Sequence, residues 1–94
     1  MTTAGTLGLF SFSHKNTSLD DRDALAFAEG EAREFCSAVH AETGAEVAVL
    51  STCNRTEFYV YGSKELVDWK RFRGYVTEHK DLGRADLPDP YIAK

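Results

Sequence analysis

At 94 residues the chain is long enough for one domain, and a domain of this size buries roughly 60–65% of its unfolded surface. With 43% apolar and 28% charged residues it can build a real core. A net charge of −4 excludes a broad basic surface for DNA or RNA, and no stretch approaches the roughly 18 apolar residues of a membrane span.

Thr6 to Ser13 (TLGLFSFS) alternates small or polar residues with Leu7, Leu9, Phe10 and Phe12, and reads as a first strand after a frayed start over residues 1–5. His14 to Thr17 is a polar loop. Ser18 is a good helix N-cap with Asp21 three positions on, and Asp20, Asp21 and Asp23 suit the positive end of a helix dipole. Leu25, Phe27 and Ala28 give this helix a short apolar side. Gly30 is expected to break it. A second helical stretch carries Ala32, Phe35, Cys36 and Val39 at helical spacing and ends at a Gly44 cap. Glu46–Thr52 and Glu57–Tyr61 read as strands joined by about four residues, hence an antiparallel hairpin. Ser63 is expected to cap a long helix with Leu66, Trp69, Phe72 and Val76 toward the core. Lys80–Pro90 is a loop with Gly83, Pro88 and Pro90 as breakers, and Tyr91-Ile92-Ala93 begins a fourth strand. The order β-α-β-β-α-β predicts an α+β fold: a ferredoxin-like antiparallel sheet with the helices on one face.

The chemistry concentrates in LSTCNRTE, Leu50 to Glu57. Cys53 falls on the tight connection between two strands, where a rigid scaffold can present a thiol to solvent. Taken alone, a cysteine at a strand end is more often a small buried residue. Arg55, two residues on, could favour the thiolate or clamp a carboxylate with its planar fork. Cys36 lies on the apolar stripe and reads as core. Its spacing to His40 also suits a metal, but a site would need Cys53, His14 or His79 as well, and nothing in the sequence brings these together, so no metal is expected. Trp69, Phe72 and Tyr75 could stack bases, although helical spacing favours core packing. Lys64, Lys70, Arg71 and Arg73 read as the wet face of a helix. His14 could meet a substrate carboxylate or satisfy loop backbone. Two cysteines and an N-terminus without a basic-then-apolar signal pattern lead to the expectation of a cytoplasmic chain with free thiols, in which the sequons Asn16-Thr17-Ser18 and Asn54-Arg55-Thr56 are chance matches.

Ser13-His14-Lys15, then Leu25-Ala26-Phe27, then LSTCNRTEFYVYG from Leu50 to Gly62, with their spacing, resemble the N-terminal catalytic domain of the glutamyl-tRNA reductase family. The resemblance runs from about Leu7 to Tyr91, weakly through Glu31–Thr43 and after Lys64, and it too implies a ferredoxin-like domain. It implies tetrapyrrole synthesis from glutamate: a cysteine takes the glutamyl group from glutamyl-tRNA as a thioester, and NADPH reduces that thioester to glutamate-1-semialdehyde. By position the nucleophile is Cys53, with Thr52, Asn54 and Arg55 on substrate-binding positions. The family further implies a homodimeric full-length enzyme that passes its product to glutamate-1-semialdehyde aminomutase, in the cytoplasm, or in a plastid for a plant or alga.

The chain departs from the family at several points. Where the family continues HKTAP, this chain has His14-Lys15-Asn16-Thr17-Ser18, without the proline that fixes the turn. Asp21 replaces a usual apolar residue, though Arg22 keeps its place. The family's nucleotide-binding and dimerisation domains, and a histidine-bearing helix, find no counterpart, and no GxGxxG occurs in the 94 residues. Residues 1–94 are therefore expected to be a single domain of a longer enzyme, binding no cofactor themselves. The alternative is a free-standing, non-catalytic regulatory or interaction module derived from that enzyme.

Overall fold

The computed structural model describes residues 5–15, 17–52, 54–80 and 89–93. Of the sequence expectations, the frayed start over residues 1–4, Asn16, Cys53 and the loop over 81–88, with Gly83 and Pro88, lie outside the described residues.

The elements follow in the order β1 (Thr6–Ser13), α1 (Leu19–Leu25), α2 (Glu29–Thr43), β2 (Glu46–Ser51), β3 (Arg55–Gly62), α3 (Trp69–Lys80) and β4 (Tyr91–Ala93). The four strands form one antiparallel sheet in the order β2-β3-β1-β4. That order places the two long strands at the centre and makes the fold the expected ferredoxin-like α+β arrangement. β1 and β3 pair along their whole length, from Thr6↔Gly62 to Ser13↔Arg55.

Strand alternation then sorts the side chains. Phe10 and Phe12 of β1 and Phe58 and Val60 of β3 point toward the helices and are buried against Phe35 and Val39 of α2 and Phe72 and Val76 of α3. Phe58 is the hub, with Phe12, Phe27, Phe35 and Phe72 around its ring at centroid distances of 5.5–6.4 Å. Each buried phenyl contributes about 2–3 kcal/mol of transfer free energy. Trp69 and Phe72 belong to this core, as their spacing indicated, and Tyr75 packs partly against it. Among the described residues no helix covers the opposite face of the sheet, which exposes Leu7, Leu50, Tyr59, Tyr61 and Tyr91.

The helix boundaries correct the sequence reading in two places. The break between the first two helices falls at Ala26–Ala28, ahead of Gly30, which sits inside the first turn of α2. Phe27 leaves the helical path because its ring enters the core beside Phe35 and Phe58 while its N–H donates to Ser51 Oγ at 2.9 Å. The third helix starts at Trp69 rather than after Ser63. Ser63 instead closes a tight turn, its carbonyl accepting from the N–H groups of Leu66 and Val67. Asp68 is the actual cap, with Oδ1 accepting from Lys70 N at 3.1 Å. Two expected caps hold. Asp21 N donates to Ser18 Oγ at 3.2 Å, and Gly44 takes the left-handed conformation (φ 80°) that ends α2.

Candidate active site

The hairpin joining β2 to β3 is closed by backbone and by one hydroxyl. Thr52 N donates to Arg55 O at 2.8 Å. Thr52 Oγ1 accepts from the N–H groups of Asn54 (3.2 Å) and Arg55 (3.3 Å), so this side chain ties the turn from within. Just below it, Ser51 Oγ lies 3.2 Å from Thr56 Oγ1, fastening the last ladder pair. Thr52, Asn54 and Arg55 are all exposed at the tip. Cys53, the nucleophile expected between them, lies outside the described residues.

A second segment reaches the same end of the sheet. β1 ends at Ser13 opposite Arg55, and the following residue, His14, donates its N–H to Asn54 O at 3.2 Å. Ser13 O accepts from Thr17 N at 2.9 Å and Ser13 Oγ from Lys15 N at 3.3 Å, which turns the chain tightly into α1. The two most distinctive sequence blocks, Ser13-His14-Lys15 and Thr52 to Arg55, are far apart in the chain but adjacent in space. His14, Lys15 and Arg55 all expose their side chains here, giving this end of a net-acidic chain a local set of cation-forming groups.

Behind Arg55, on the uncovered face of the sheet, sits a polar cluster that the sequence reading did not single out. Glu57 is only 8% exposed. Its Oε2 accepts from Ser11 Oγ at 3.0 Å and lies 3.7 Å from Arg55 Nη1, while its Oε1 accepts from Tyr59 OH at 3.0 Å. The Tyr59 hydroxyl is held above its ordinary pKa, chiefly because it donates to this carboxylate and secondarily through burial and the negative charge of Glu57. Residues 55, 57 and 59 share one face by strand periodicity, so the alternation in RTEFY was the signal available.

Cys36 is a different kind of thiol. It packs partly buried against the core, and burial pushes its pKa up against the opposing pull of the Val49 N–H on its sulfur. It lines a groove of about 530 Å³ between α2 and the outer edge of β2, together with Ala32, Val47 and Val49. A protonated thiol in such a groove is a poor nucleophile, consistent with its reading as core. His40 Nδ1 is paired with Ala45 O at 3.0 Å. Among the described residues no three His, Cys, Asp or Glu side chains gather as metal ligands would. None of the described helices is long and apolar enough to cross a membrane.

Comparison with known proteins gives a consistent result. Residues 10–92 match the family described as "Glutamyl-tRNAGlu reductase, N-terminal domain". The glutamyl-tRNA reductase of Saccharophagus degradans is 38% identical over 86 residues, covering 87% of this chain and 19% of the relative. That of Helicobacter hepaticus is 34% identical over 82 residues (82% and 18%), and that of Chlorobaculum parvum 31% over 81 residues (85% and 19%). The chain thus spans about one fifth of the length of the curated relatives it matches.

Proposed function

The chain belongs to the glutamyl-tRNA reductase N-terminal domain family, and from that premise we propose that it is the acyl-accepting domain of such an enzyme. The reading is supported above all by the His14 N to Asn54 O contact, which draws the Ser13–Lys15 turn onto the Thr52–Arg55 tip. In the proposed step the Cys53 thiolate attacks the ester carbonyl joining glutamate to the 3′ end of its tRNA. The S–C bond forms, the C–O bond of the ester breaks, and the departing ribose hydroxyl takes up a proton. The glutamyl group remains on sulfur as a thioester. A thiol near its usual pKa of about 8.5 is only a few per cent ionised at neutral pH, so the cations at this end would raise the reactive fraction. Arg55 is assigned to the substrate's carboxylate, for which its planar fork is suited. Asn54 is assigned to substrate contact and Thr52 to holding the turn in shape.

The family implies that NADPH reduces the thioester to glutamate-1-semialdehyde for tetrapyrrole synthesis. Its binding does not fit this chain. A dinucleotide pyrophosphate rests on a parallel strand, a glycine-rich turn and a helix N-terminus, whereas the sheet here is antiparallel and the sequence has no GxGxxG. No step of the reduction is therefore routed through these residues. A homodimeric enzyme and hand-over of the aldehyde to an aminomutase follow from the same premise, as properties of the longer protein.

The test is incubation with glutamyl-tRNA followed by intact-protein mass measurement. A glutamyl adduct that maps to Cys53 and is missing from Cys53→Ser is expected. Undiminished reductase activity in an enzyme of full family length carrying Cys53→Ser would refute the assignment.

A further inference from the structure

We infer that Glu57 is a positioning residue for Arg55: a buried carboxylate that fixes where the guanidinium sits before substrate arrives. The inference rests on the proposed role of Arg55 in binding the substrate's carboxylate.

Three observations carry it. First, the carboxylate sits near the start of β3, one of the two central strands, with a side chain only 10% exposed, where an unpaired charge would be costly. Second, both its oxygens are engaged from a fixed frame. Ser11 Oγ reaches across from the paired position on β1, and Tyr59 OH reaches from two residues along β3. Such a carboxylate has little rotational freedom left. Third, the charged group it faces at the site is Arg55, whose Nη1 lies 3.7 Å from Oε2 and whose side chain is half exposed.

Same-face neighbours on a strand have Cα atoms roughly 7 Å apart, so the ion pair leans the long arginine back along β3. One guanidinium nitrogen, Nη1, is drawn to the carboxylate at ion-pair distance, while the side chain stays half exposed. A surface arginine without that anchor would spread over many rotamers, and ordering it on binding would cost affinity. Glu57 lowers that cost and restricts where an incoming carboxylate can dock.

Glu57→Gln preserves size but removes the charge, and its single amide oxygen can accept from only one of the two hydroxyls, Ser11 or Tyr59. Rotation about the Arg55 guanidinium bonds, followed by nitrogen NMR, is expected to be slow in the wild-type protein and fast in Glu57→Gln. Tyr59→Phe removes one donor but keeps the ion pair, and should leave rotation slow. Glutamyl-tRNA affinity is expected to fall about tenfold in Glu57→Gln. In an Arg55→Ala background the same substitution should have no further effect, because Glu57 acts through the arginine. Equal rotation rates in wild type and Glu57→Gln, or additive losses in the double variant, would overturn the inference. Should Arg55→Ala bind glutamyl-tRNA normally, the proposed role of Arg55 fails, while the rotation measurement still decides whether Glu57 holds the guanidinium.

Discussion

Gly8 of β1 and Val67, just before α3, offer a quantitative test of how the turn is seated on the sheet. A Cβ built on Gly8 would fall 2.2 Å from Val67 Cγ1, against roughly 3.5–4.0 Å for an ordinary carbon contact. Val67 is 1% exposed and cannot swing into solvent. Gly8→Ala must therefore push the strand and the turn apart, at about 2–3 kcal/mol for overpacking. The reduced entropy of the unfolded chain offsets about 0.5–1 kcal/mol, leaving a net loss of about 1–2.5 kcal/mol. For a domain of this size that is a fall in Tm of roughly 4–20 °C.

Val67→Ala removes two buried methyl groups, about 1.6 kcal/mol in transfer terms, and leaves a cavity that raises the cost to about 2–3 kcal/mol. In the double variant the new methyl on residue 8 enters the space vacated by residue 67. Its loss should fall short of the sum of the singles by at least about 1 kcal/mol, well beyond the scatter of independent sites. Urea unfolding followed by the fluorescence of Trp69, the single tryptophan, supplies the three values. Additive losses within about 0.5 kcal/mol, or a neutral Gly8→Ala, would show that the glycine is not there for close approach.

Lys80 ties the end of α3 to the α1–α2 connection. Its Nζ donates to both Glu31 oxygens (2.9 and 3.1 Å) and to Ala26 O, and lies 4.7 Å from the Phe27 ring centroid. Lys80→Met should lower stability by about 1–2 kcal/mol in thermal or urea unfolding. Burial alone would raise the Glu31 pKa, but the hydrogen bond and charge of Lys80 outweigh it and hold the pKa below the ordinary glutamate range. The folded value is the lower one, so this contribution is complete above the unfolded pKa and is lost as pH falls through the folded pKa. The gap between wild type and Lys80→Met should therefore narrow below about pH 4.5, and a constant gap down to pH 2 would contradict the pairing. At the hairpin, Thr52→Val should cost about 1 kcal/mol by removing the acceptor for two backbone N–H groups, whereas Thr52→Ser should be near neutral. If the valine variant unfolds like wild type, the hydroxyl does not hold the turn.

The strands were legible because their information is local. Alternation in TLGLFSFS and the short gap of about four residues read after Thr52 (three residues, 52–54, between β2 and β3) specify a hairpin without tertiary detail, and β-α-β-β-α-β then leaves few ways to bury the phenylalanines. The helix ends were less legible because tertiary contacts decide them. Gly30 looks like a breaker, yet a glycine in a first helical turn is tolerated, and it is the burial of Phe27 that breaks the path. Leu66 keeps helical spacing with Trp69 and is itself buried, so the apolar periodicity runs through the turn and hides the true cap at Asp68.

The site divides in the same way. Thr52, Cys53, Asn54 and Arg55 announce themselves through one contiguous block, but Glu57 within that block does not. A glutamate in an alternating strand normally marks the solvent face, and its face here is indeed the one without helices. Its burial comes from Ser11 and Tyr59, one of them 46 residues away in sequence, and no local pattern encodes that closure. The consequence reaches function. In the proposed role, a net-acidic domain that accepts an acyl group from an RNA end cannot rely on diffuse attraction to phosphates. Its recognition must come from a few groups held in place, and a buried carboxylate behind one exposed arginine is an arrangement that provides such holding.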